Sequence, residues 1–347
     1  MQDSSILRPV NGPLPAAWQP PEPLAETDLA LIHALQVWPR APWRAIGAAL
    51  GVDPATAARR WQRLVEERLA WFVVRPSAQQ LAPDRDATLV RLACRPGSAA
   101  TVATGIAERE DVLAVDVLAG ADAVAAIVLG RGLAPLHDAV ERLSVQHPEV
   151  TAARVAFLSA VHREDAQWRL RVLSPAQQVR LASPRPNAAD RGRPPRPEVI
   201  ADLTAALGED ARMSLADLGG RLGISEVTAR RLLDRALRTQ SIRLGCDVVA
   251  PAVGAGRAVL LEVEVDDPHG AGRAIAALSP VLRCATVVGP ANLVLVARFV
   301  SLAHLAGFES AAAAVAPGWQ VRDRATITHA VKRQGRLLDA DGRVRGE

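Results

Sequence analysis

The chain carries the stretch Val52-Asp53-Pro54-Ala55-Thr56-Ala57-Ala58-Arg59-Arg60-Trp61-Gln62-Arg63, and Ile224-Ser225-Glu226-Val227-Thr228-Ala229-Arg230-Arg231-Leu232-Leu233-Asp234-Arg235 aligns with it without a gap. A Leu-Gly pair precedes each copy. The glycine permits a tight turn, and the aspartate or serine that follows is a preferred N-cap of a helix. A helix that carries arginines after such a turn is typical of a helix-turn-helix, whose second helix enters the DNA major groove. The sequence therefore predicts two DNA-binding helices in one chain.

Apolar residues at helical spacing precede each copy. Residues 27–35 and 43–50 predict two short amphipathic helices before the first copy, and residues 199–207 and 215–222 predict their counterparts before the second. The run Trp71-Phe72-Val73-Val74 predicts a strand after the first helix-turn-helix. The helices and the strand are the elements of a winged helix-turn-helix.

The segments that follow the two helix-turn-helix motifs predict the same order of strands and helices. In each segment the order is βαββαβ, which is typical of a ferredoxin-like sandwich. Gly223 follows Gly51 by 172 residues (223 − 51), and Gly289 follows Gly120 by 169 residues (289 − 120). This nearly constant offset favours a tandem duplication.

We therefore expect an α+β fold with two winged helix-turn-helix domains, each followed by a ferredoxin-like βαββαβ sandwich. The proline-rich start predicts a disordered tail, and a proline- and arginine-rich stretch near the middle predicts a linker. The expected boundaries are a tail at 1–22, the first helix-turn-helix at 23–76, the first sandwich at 84–165, the linker at 176–197, the second helix-turn-helix at 198–250, the second sandwich at 256–333 and a tail at 334–347.

The charge distribution is consistent with a nucleic-acid partner. The formal net charge is +4 and the pI is about 9.7, and arginines cluster within residues 180–196 and 226–243. Lys332 is the only lysine, so nearly all positive charge is carried by guanidinium groups, which bind phosphate bidentately. A coding bias toward arginine also explains this composition, and a solvated linker also explains the arginines around residue 190.

Cysteine spacing and hydropathy indicate a cytoplasmic protein. Cys94, Cys246 and Cys284 form neither a CxxC pair nor an even disulfide set. The N-terminus lacks the pattern of a secretory signal, and the most apolar stretch, residues 113–129, is interrupted by charged residues and a glycine. We therefore expect a reducing compartment and no membrane partner.

The predicted recognition helices present side chains suited to double-stranded DNA. Arginines there can contact phosphates or guanine edges, and the alternative is a solvated helix face without a partner. The candidate DNA-binding residues are Thr56, Arg59, Arg60, Arg63, Thr228, Arg230, Arg231 and Arg235.

This combination of motifs resembles the Lrp/AsnC family of feast/famine transcriptional regulators. Members carry a recognition-helix pattern close to Ser-Pro-Ser-Thr-Val-x-Arg-Arg-x-x-Arg-Leu, which residues 53–64 match with Asp-Pro-Ala-Thr-Ala-Ala-Arg-Arg-Trp-Gln-Arg-Leu. The second copy departs from the pattern at Leu232 and Ala236. Usual members have one copy of each module and pair as dimers, so the resemblance implies an internal pseudo-dimer or a homo-oligomer that faces a nonpalindromic site.

The resemblance also implies a small effector, commonly an amino acid, near the loop after the second strand of each sandwich. Gly120 and Asp122 match the family's Gly-x-x-Asp region approximately, and Gly289 and Asn292 match its spacing with an amide in place of the carboxylate. The alternative is that both glycines only permit tight hairpin turns.

Short catalytic motifs are absent from the sequence. It contains no HExxH, GxSxG or P-loop pattern, so we expect no enzyme, no catalytic or metal-binding residues and no cofactor. Two alternatives remain. One is a ligand-binding protein with vestigial helix-turn-helix units, and the other is a sirohaem decarboxylase, a class with the same two-module architecture. Such an enzyme should show paired His and Arg residues around its pocket, whereas the segments after the predicted wings read Gln79-Gln80-Leu81 and Val249-Ala250-Pro251.

Overall fold

The computed structural model describes residues 23–76, 85–181 and 193–345. The predicted N-terminal tail, the Gln79-Gln80-Leu81 segment and residues 182–192 of the predicted linker lie outside these residues.

The first helical unit consists of three helices and a strand. Their bounds are α1 Glu26–Val37, α2 Trp43–Leu50, α3 Pro54–Glu66 and β1 Ala70–Pro76. Gly51 ends α2 in the left-handed conformation, with φ 72°. The Asp53 carboxylate caps α3 by accepting from the backbone N–H groups of Ala55 at 2.9 Å and Thr56 at 3.1 Å, and Pro54 occupies the first helical position.

The first sandwich unit follows with strands and helices in the order β-α-β-β-α-β. Its elements are β2 Arg85–Cys94, α4 Ala99–Ala107, β3 Val112–Leu118, β4 Val124–Arg131, α5 Leu133–Gln146 and β5 Val150–Arg163. Both helices bury an apolar face against one side of the strands, and Ile106 and Leu136 are completely enclosed there. The other side of these strands faces the rest of the molecule.

The second helical unit begins after a short helix. The elements are α6 Pro175–Arg180, α7 Pro197–Glu209, α8 Leu215–Leu222, α9 Glu226–Arg238 and β6 Ile242–Val248. The predicted linker at 176–197 thus begins with helix rather than loop, because Ser174 caps α6 and Leu181 is fully buried after it. Gly223 ends α8 with φ 66°, as Gly51 ends α2, and Ser225 caps α9.

The second sandwich unit repeats the order of the first. Its elements are β7 Arg257–Glu264, α10 Pro268–Ala276, β8 Val281–Val288, β9 Leu293–Phe299, α11 Leu305–Val315 and β10 Gln320–Arg333. A short strand, β11 Arg336–Leu337, pairs back onto β10. The segment expected as a tail from 334 onward is therefore ordered as far as residue 345, because Leu338 is fully buried and forms a bridge with Val344.

The strands of the two sandwich units form one continuous sheet. The order is β11-β10-β3-β4-β2-β5-β8-β9-β7, and β10 also pairs with β7. Since β10 bonds to both β3 and β7, eight of the described strands close into a ring. The other seam of the ring is the antiparallel pair β5–β8, with Phe157 opposite Val288. Helices α4, α5, α10 and α11 belong to the two units that close this ring.

The helical units contact each other through a strand pair, through the Gln36 side chain, which donates to the Cys246 carbonyl at 3.2 Å, and through two loops. Strands β1 and β6 form an antiparallel pair from Ala70 opposite Val248 to Pro76 opposite Ile242. In addition, each of the loops before α2 and α8 carries an arginine whose side chain donates to backbone carbonyls of the other loop.

In this exchange Arg40 donates to the carbonyls of Ala211 (2.5 Å) and Met213 (2.7 Å). Arg212 donates to the carbonyls of Pro39 (2.6 Å) and Ala41 (2.7 Å). The contact is reciprocal because Arg212 follows Arg40 by 172 residues (212 − 40), the offset of the two turn glycines.

Candidate DNA-binding surface and ligand cavities

Helix α3 carries the four candidate DNA-binding residues of the first helical unit. Thr56 is half-buried in the first turn, and Arg59 is exposed, with no side-chain partner among the described residues. Arg60 and Arg63 both bind the carboxylate of Asp28 on α1. Their terminal nitrogens lie 3.1 Å and 2.6 Å from its two oxygens.

The Asp28 carboxylate has a structural role in the first helical unit. Its side chain is 2% exposed, whereas Arg60 and Arg63 are 37% and 49% exposed. A buried carboxylate requires compensation by positive charge, and the two arginines provide it while joining α3 to α1. Their assignment to DNA stays a prediction, with the remaining guanidinium nitrogens available for phosphates.

Helix α9 carries the corresponding residues of the second helical unit. Thr228, Arg230, Arg231 and Arg235 are all exposed. Arg230 pairs with Glu226 one turn earlier at 2.9 Å. In the described part of the chain, Arg231 and Arg235 have no acidic partner within ion-pair distance, so α9 presents two uncompensated guanidinium groups to solvent.

The departure from the family pattern at Leu232 has a packing explanation. At the 172-residue offset, Ile200 of α7 stands where Asp28 stands in α1, and Leu232 stands where Arg60 stands. Ile200 belongs to the buried core of the second helical unit, and Leu232 packs against that core. At these positions the first unit therefore has an ion pair between its first and third helices, whereas the second unit has residues of an apolar core.

The candidate effector residues lie in two turns, one in each sandwich unit. Gly120 has φ 125°, a conformation that favours glycine. The Asp122 carboxylate forms ion pairs with Arg154 at 2.7 Å and with Arg91 at 3.5 Å. Arg91 and Arg154 in turn contact Glu262 and Asp323 of the second sandwich unit, so this turn takes part in a charged contact between the two units.

The second turn is held by different interactions. Gly289 is needed for close approach, because a Cβ there would lie 2.9 Å from the Ala156 side chain. The Asn292 side chain accepts from the Val265 N–H at 3.1 Å and donates to the Val265 carbonyl at 2.8 Å. Both predicted effector positions therefore have intramolecular partners, and an amino-acid effector there stays a prediction.

A cavity of about 330 Å³ lies inside the strand ring. Apolar side chains such as Leu89, Ile127 and Val294 line most of it, and Asp116, Asp165 and Arg283 form a charged end. Arg283 lies 3.1 Å from both carboxylates. Burial raises the pKa of Asp116, and the positive charge of Arg283 opposes that shift.

A second cavity of about 240 Å³ adjoins the charged end. Its ionisable lining residues are Asp116, Arg257, Arg283, Arg298, His329, Arg333 and Asp341. This is a cluster of histidine and arginine that the motif search did not find, because its members come from four strands that are distant in sequence. A usable signal was Arg298 at the end of the otherwise apolar run Leu293–Ala297.

The arginines of this second cavity differ in how they are compensated. Arg333 lies 3.4 Å from the carboxylate of Asp247 on β6. Arg298 is 6% exposed, and its Nη1 has no hydrogen-bond partner among the described residues. Burial, together with the positive charges of Arg333 and Arg283, lowers the pKa of Arg298 to about 9. Its guanidinium lies 5.4 Å from the centre of the Trp168 ring.

Residues 24–65 match the model of the AsnC-type helix-turn-helix domain. The match covers nearly all of α1 to α3 and confirms the helix-turn-helix predicted for the N-terminal part of the chain. No curated protein matches the sequence. None of the described helices is both long and apolar enough to cross a membrane.

Two solved structures of the siroheme decarboxylase NirDL share the fold. One aligns with a TM-score of 0.51 at 14% identity, covering 89% of this chain and 92% of NirDL. The other, a complex with an iron-uroporphyrin III analogue, gives a TM-score of 0.53 at 13% identity, covering 89% and 93%. The AsnC protein of E. coli aligns over 39% of this chain and 92% of its own, with a TM-score of 0.35 at 14% identity.

These comparisons correct the expectation that the chain is no enzyme. Its fold over 89% of its length is one that an enzyme uses, so the absence of short catalytic motifs does not exclude catalysis. Motif searches detect residues at fixed sequence spacing, whereas the cavities here collect residues from separate strands. Residues 24–65 thus form an AsnC-type helix-turn-helix domain in a mixed α/β chain whose overall fold resembles that of a siroheme decarboxylase.

Proposed function

We propose that the protein is a sequence-specific DNA-binding transcriptional regulator of the Lrp/AsnC type. The observation that carries the proposal is the AsnC-type helix-turn-helix at residues 24–65. We further propose that the chain arose by tandem duplication and contains two winged helix-turn-helix domains and two ferredoxin-like domains. The equivalent turns at Gly51 and Gly223, and the reciprocal contacts of Arg40 and Arg212, support this interpretation.

The duplicated chain would form an internal pseudo-dimer, with or without further homo-oligomerisation. The β1–β6 pair and the exchanged arginines join the two helical units within one molecule. Because α3 and α9 differ in their exposed side chains, such a pseudo-dimer would bind an asymmetric DNA site.

The free arginines on both helices support contact with phosphates. Arg59 on α3 and Arg231 and Arg235 on α9 are exposed, and no acidic side chain in the described residues neutralises them. Each guanidinium that replaces a counterion on DNA adds to binding at low salt and makes the affinity more salt-dependent.

Fluorescence anisotropy with labelled duplexes tests this function. The duplexes are the DNA upstream of the protein's own reading frame and a scrambled duplex of equal length. We expect preference for the upstream duplex and a loss of affinity in a variant with Arg59→Ala and Arg235→Ala. Arg95→Ala, which removes an exposed arginine from the first sandwich unit, is the control. Equal, weak binding of both duplexes that none of the variants changes would reject the proposal.

An amino-acid effector is tested separately by a thermal-shift screen with the common amino acids. A ligand at 100 times its dissociation constant stabilises the folded protein by about 2.7 kcal/mol. An absent shift with every amino acid rejects this effector class and leaves DNA binding untouched.

A second candidate function is decarboxylation of a tetrapyrrole carboxylate. The cluster of His329 with Arg298 and Arg333 in the second cavity favours it, because guanidinium groups bind carboxylates and a histidine can transfer protons. Anaerobic incubation with sirohaem followed by mass spectrometry tests it. Loss of CO₂ with the wild-type protein but not with His329→Ala supports the enzyme, and an unchanged tetrapyrrole rejects it.

A further inference from the structure

The second cavity combines enclosure with an excess of positive side chains on its walls. Four arginines and His329 line it, against the two carboxylates of Asp116 and Asp341. Asp341 and Arg257 are exposed at the rim, whereas Arg298 and Arg333 are buried. A guanidinium removed from water is costly unless it is paired and hydrogen-bonded, so each buried arginine here requires a partner.

One buried arginine has no carboxylate within ion-pair distance among the described residues, although Asp247 and Asp165 lie near enough to oppose the lowering of its pKa. Arg283 has the carboxylates of Asp116 and Asp165 at 3.1 Å, and Arg333 has Asp247 at 3.4 Å. For Arg298 the described residues supply the Trp168 ring but no carboxylate within ion-pair distance. The Trp168 ring contacts the face of the guanidinium. It does not accept a hydrogen bond from Nη1 at the edge of the group, which has no partner among the described residues.

Arg298 occupies the inner face of β9. Val294 and Val296, at alternate positions on the same strand, belong to the core inside the strand ring, whereas Leu293 and Leu295 belong to the core on the helix side. Because successive side chains of a strand point to opposite faces, Arg298 lies on the same face as Val294 and Val296. It lines the second cavity together with Arg333 and His329 of β10 and the segment Ala340–Gly342.

We propose that the second cavity binds the carboxylate of a small organic acid, which pairs with Arg298 and lies beside Arg333 and His329. A carboxylate matches the planar fork of a guanidinium and supplies one negative charge. Arg298 needs such a partner, because its buried Nη1 has no hydrogen-bond acceptor among the described residues and a carboxylate oxygen would supply one. This site is the cavity in which the second candidate function would place a tetrapyrrole carboxylate, and it is distinct from the turns at Gly120 and Gly289. Binding of a small organic acid does not rest on that function.

The location connects the ligand with the helical units. Arg333 contacts Asp247 on β6, the strand that pairs with β1 of the first helical unit. An effect of the ligand on DNA affinity would rest on the proposed function, whereas carboxylate binding itself does not.

Calorimetric titration of the full chain with succinate in the absence of DNA tests the site. Sodium chloride at matched ionic strength controls for screening, and inorganic phosphate is titrated in parallel. We expect saturable succinate binding, and Arg298→Met should weaken it by about 10- to 100-fold, the effect of losing one charge-assisted contact. Arg95→Gln, at an exposed position of the first sandwich unit, should leave it unchanged.

Hydrogen exchange on the wild-type protein gives a second measurement that does not depend on a variant that folds. Succinate should slow amide exchange in residues 340–342, which line the cavity, and leave residues 95–98 unaffected. Absence of saturable binding together with unchanged exchange would overturn the proposal. Binding of phosphate as tightly as succinate would overturn the assignment to a carboxylate. Since neither measurement contains DNA, both outcomes are independent of whether the protein is a regulator.

Discussion

Substitution of Asp28 should destabilise the first helical unit by a predictable amount. Asp28→Asn keeps the shape of the side chain but removes the charge that Arg60 and Arg63 contact at 3.1 Å and 2.6 Å. A hydrogen bond to a charged group contributes about 1.5 to 3 kcal/mol when buried. Water takes over part of each contact, because the arginines are 37% and 49% exposed. We therefore expect a loss of about 1 to 3 kcal/mol for the pair of contacts together.

The second helical unit supplies the matched test of this reasoning. Asp28→Ile combined with Arg60→Leu installs the residues that occupy the equivalent positions, Ile200 and Leu232. The double variant should be more stable than the sum of the two single effects predicts, with a coupling energy of about 0.5 to 3 kcal/mol for residues in contact.

The free energy of unfolding in urea is measured for the wild type, Asp28→Ile, Arg60→Leu and the double variant, and for Asp28→Asn. Unfolding is monitored by tryptophan fluorescence and far-ultraviolet circular dichroism. Trp61 and Trp71 are buried in the first helical unit and report on its packing. A cost below about 0.5 kcal/mol for Asp28→Asn would place the ion pairs among ordinary surface contacts. If the unfolding free energy lost in the double variant equals the sum of the losses in the two single variants, the claim that an apolar pair can replace the ion pair is refuted.

Three further outcomes follow from the contacts described above. Arg231→Gln and Arg235→Gln should each lower DNA affinity, measured by anisotropy, and reduce the slope of log K against log salt concentration by about 1. Arg230→Gln should change the affinity and the slope less, because Arg230 is already paired with Glu226. A slope that no substitution alters would place DNA elsewhere. His33 is expected to make folding acid-sensitive, because burial lowers its pKa to about 4 and its neutral Nδ1 accepts the N–H groups of Val172 and Leu173. The unfolded chain binds the proton more tightly, so this contribution is complete above about pH 6.5 and is lost as the pH falls toward 4; urea midpoints across that range should depend less on pH in His33→Gln, and equal profiles would contradict the assignment. Arg212→Ala removes two hydrogen bonds and the stacking on Trp43, so calorimetry should show a lower Tm, whereas an unchanged Tm would show that the loop exchange contributes no stability.

Local signals in the sequence located the helices well. The predicted cap Asp53, the turn glycine Gly51 and their equivalents Ser225 and Gly223 mark the ends of helices in the structure. These interactions span fewer than five residues along the chain, so they can be recognised without knowledge of the fold. The helix-turn-helix at residues 24–65 was predictable for that reason.

Sequence reasoning was less successful where function depends on residues that are distant along the chain. The arginines of α3 were assigned to DNA on their spacing, on the second copy of the motif and on the resemblance to the Lrp/AsnC pattern. The structure shows that two of them also hold the buried Asp28 carboxylate. The expectation of no enzyme rested on missing motifs. It is contradicted by the overall fold, which the chain shares with the siroheme decarboxylase NirDL over 89% of its length and which no short motif reveals.

The sequence by itself determined the helix caps, the turn glycines, the alternation of the strands and the 172-residue offset between the two turn glycines. Each of these is encoded by near neighbours or is found by comparing two stretches of the sequence. Only the tertiary structure decided that β10 bonds to both β3 and β7, that the two helical units exchange arginines, and that a buried guanidinium on β9 faces a cavity without a carboxylate partner. The physical reason is that sheet closure and charge compensation are set by which distant segments pair and which side chains are thereby removed from water. Neither quantity is carried by local propensity.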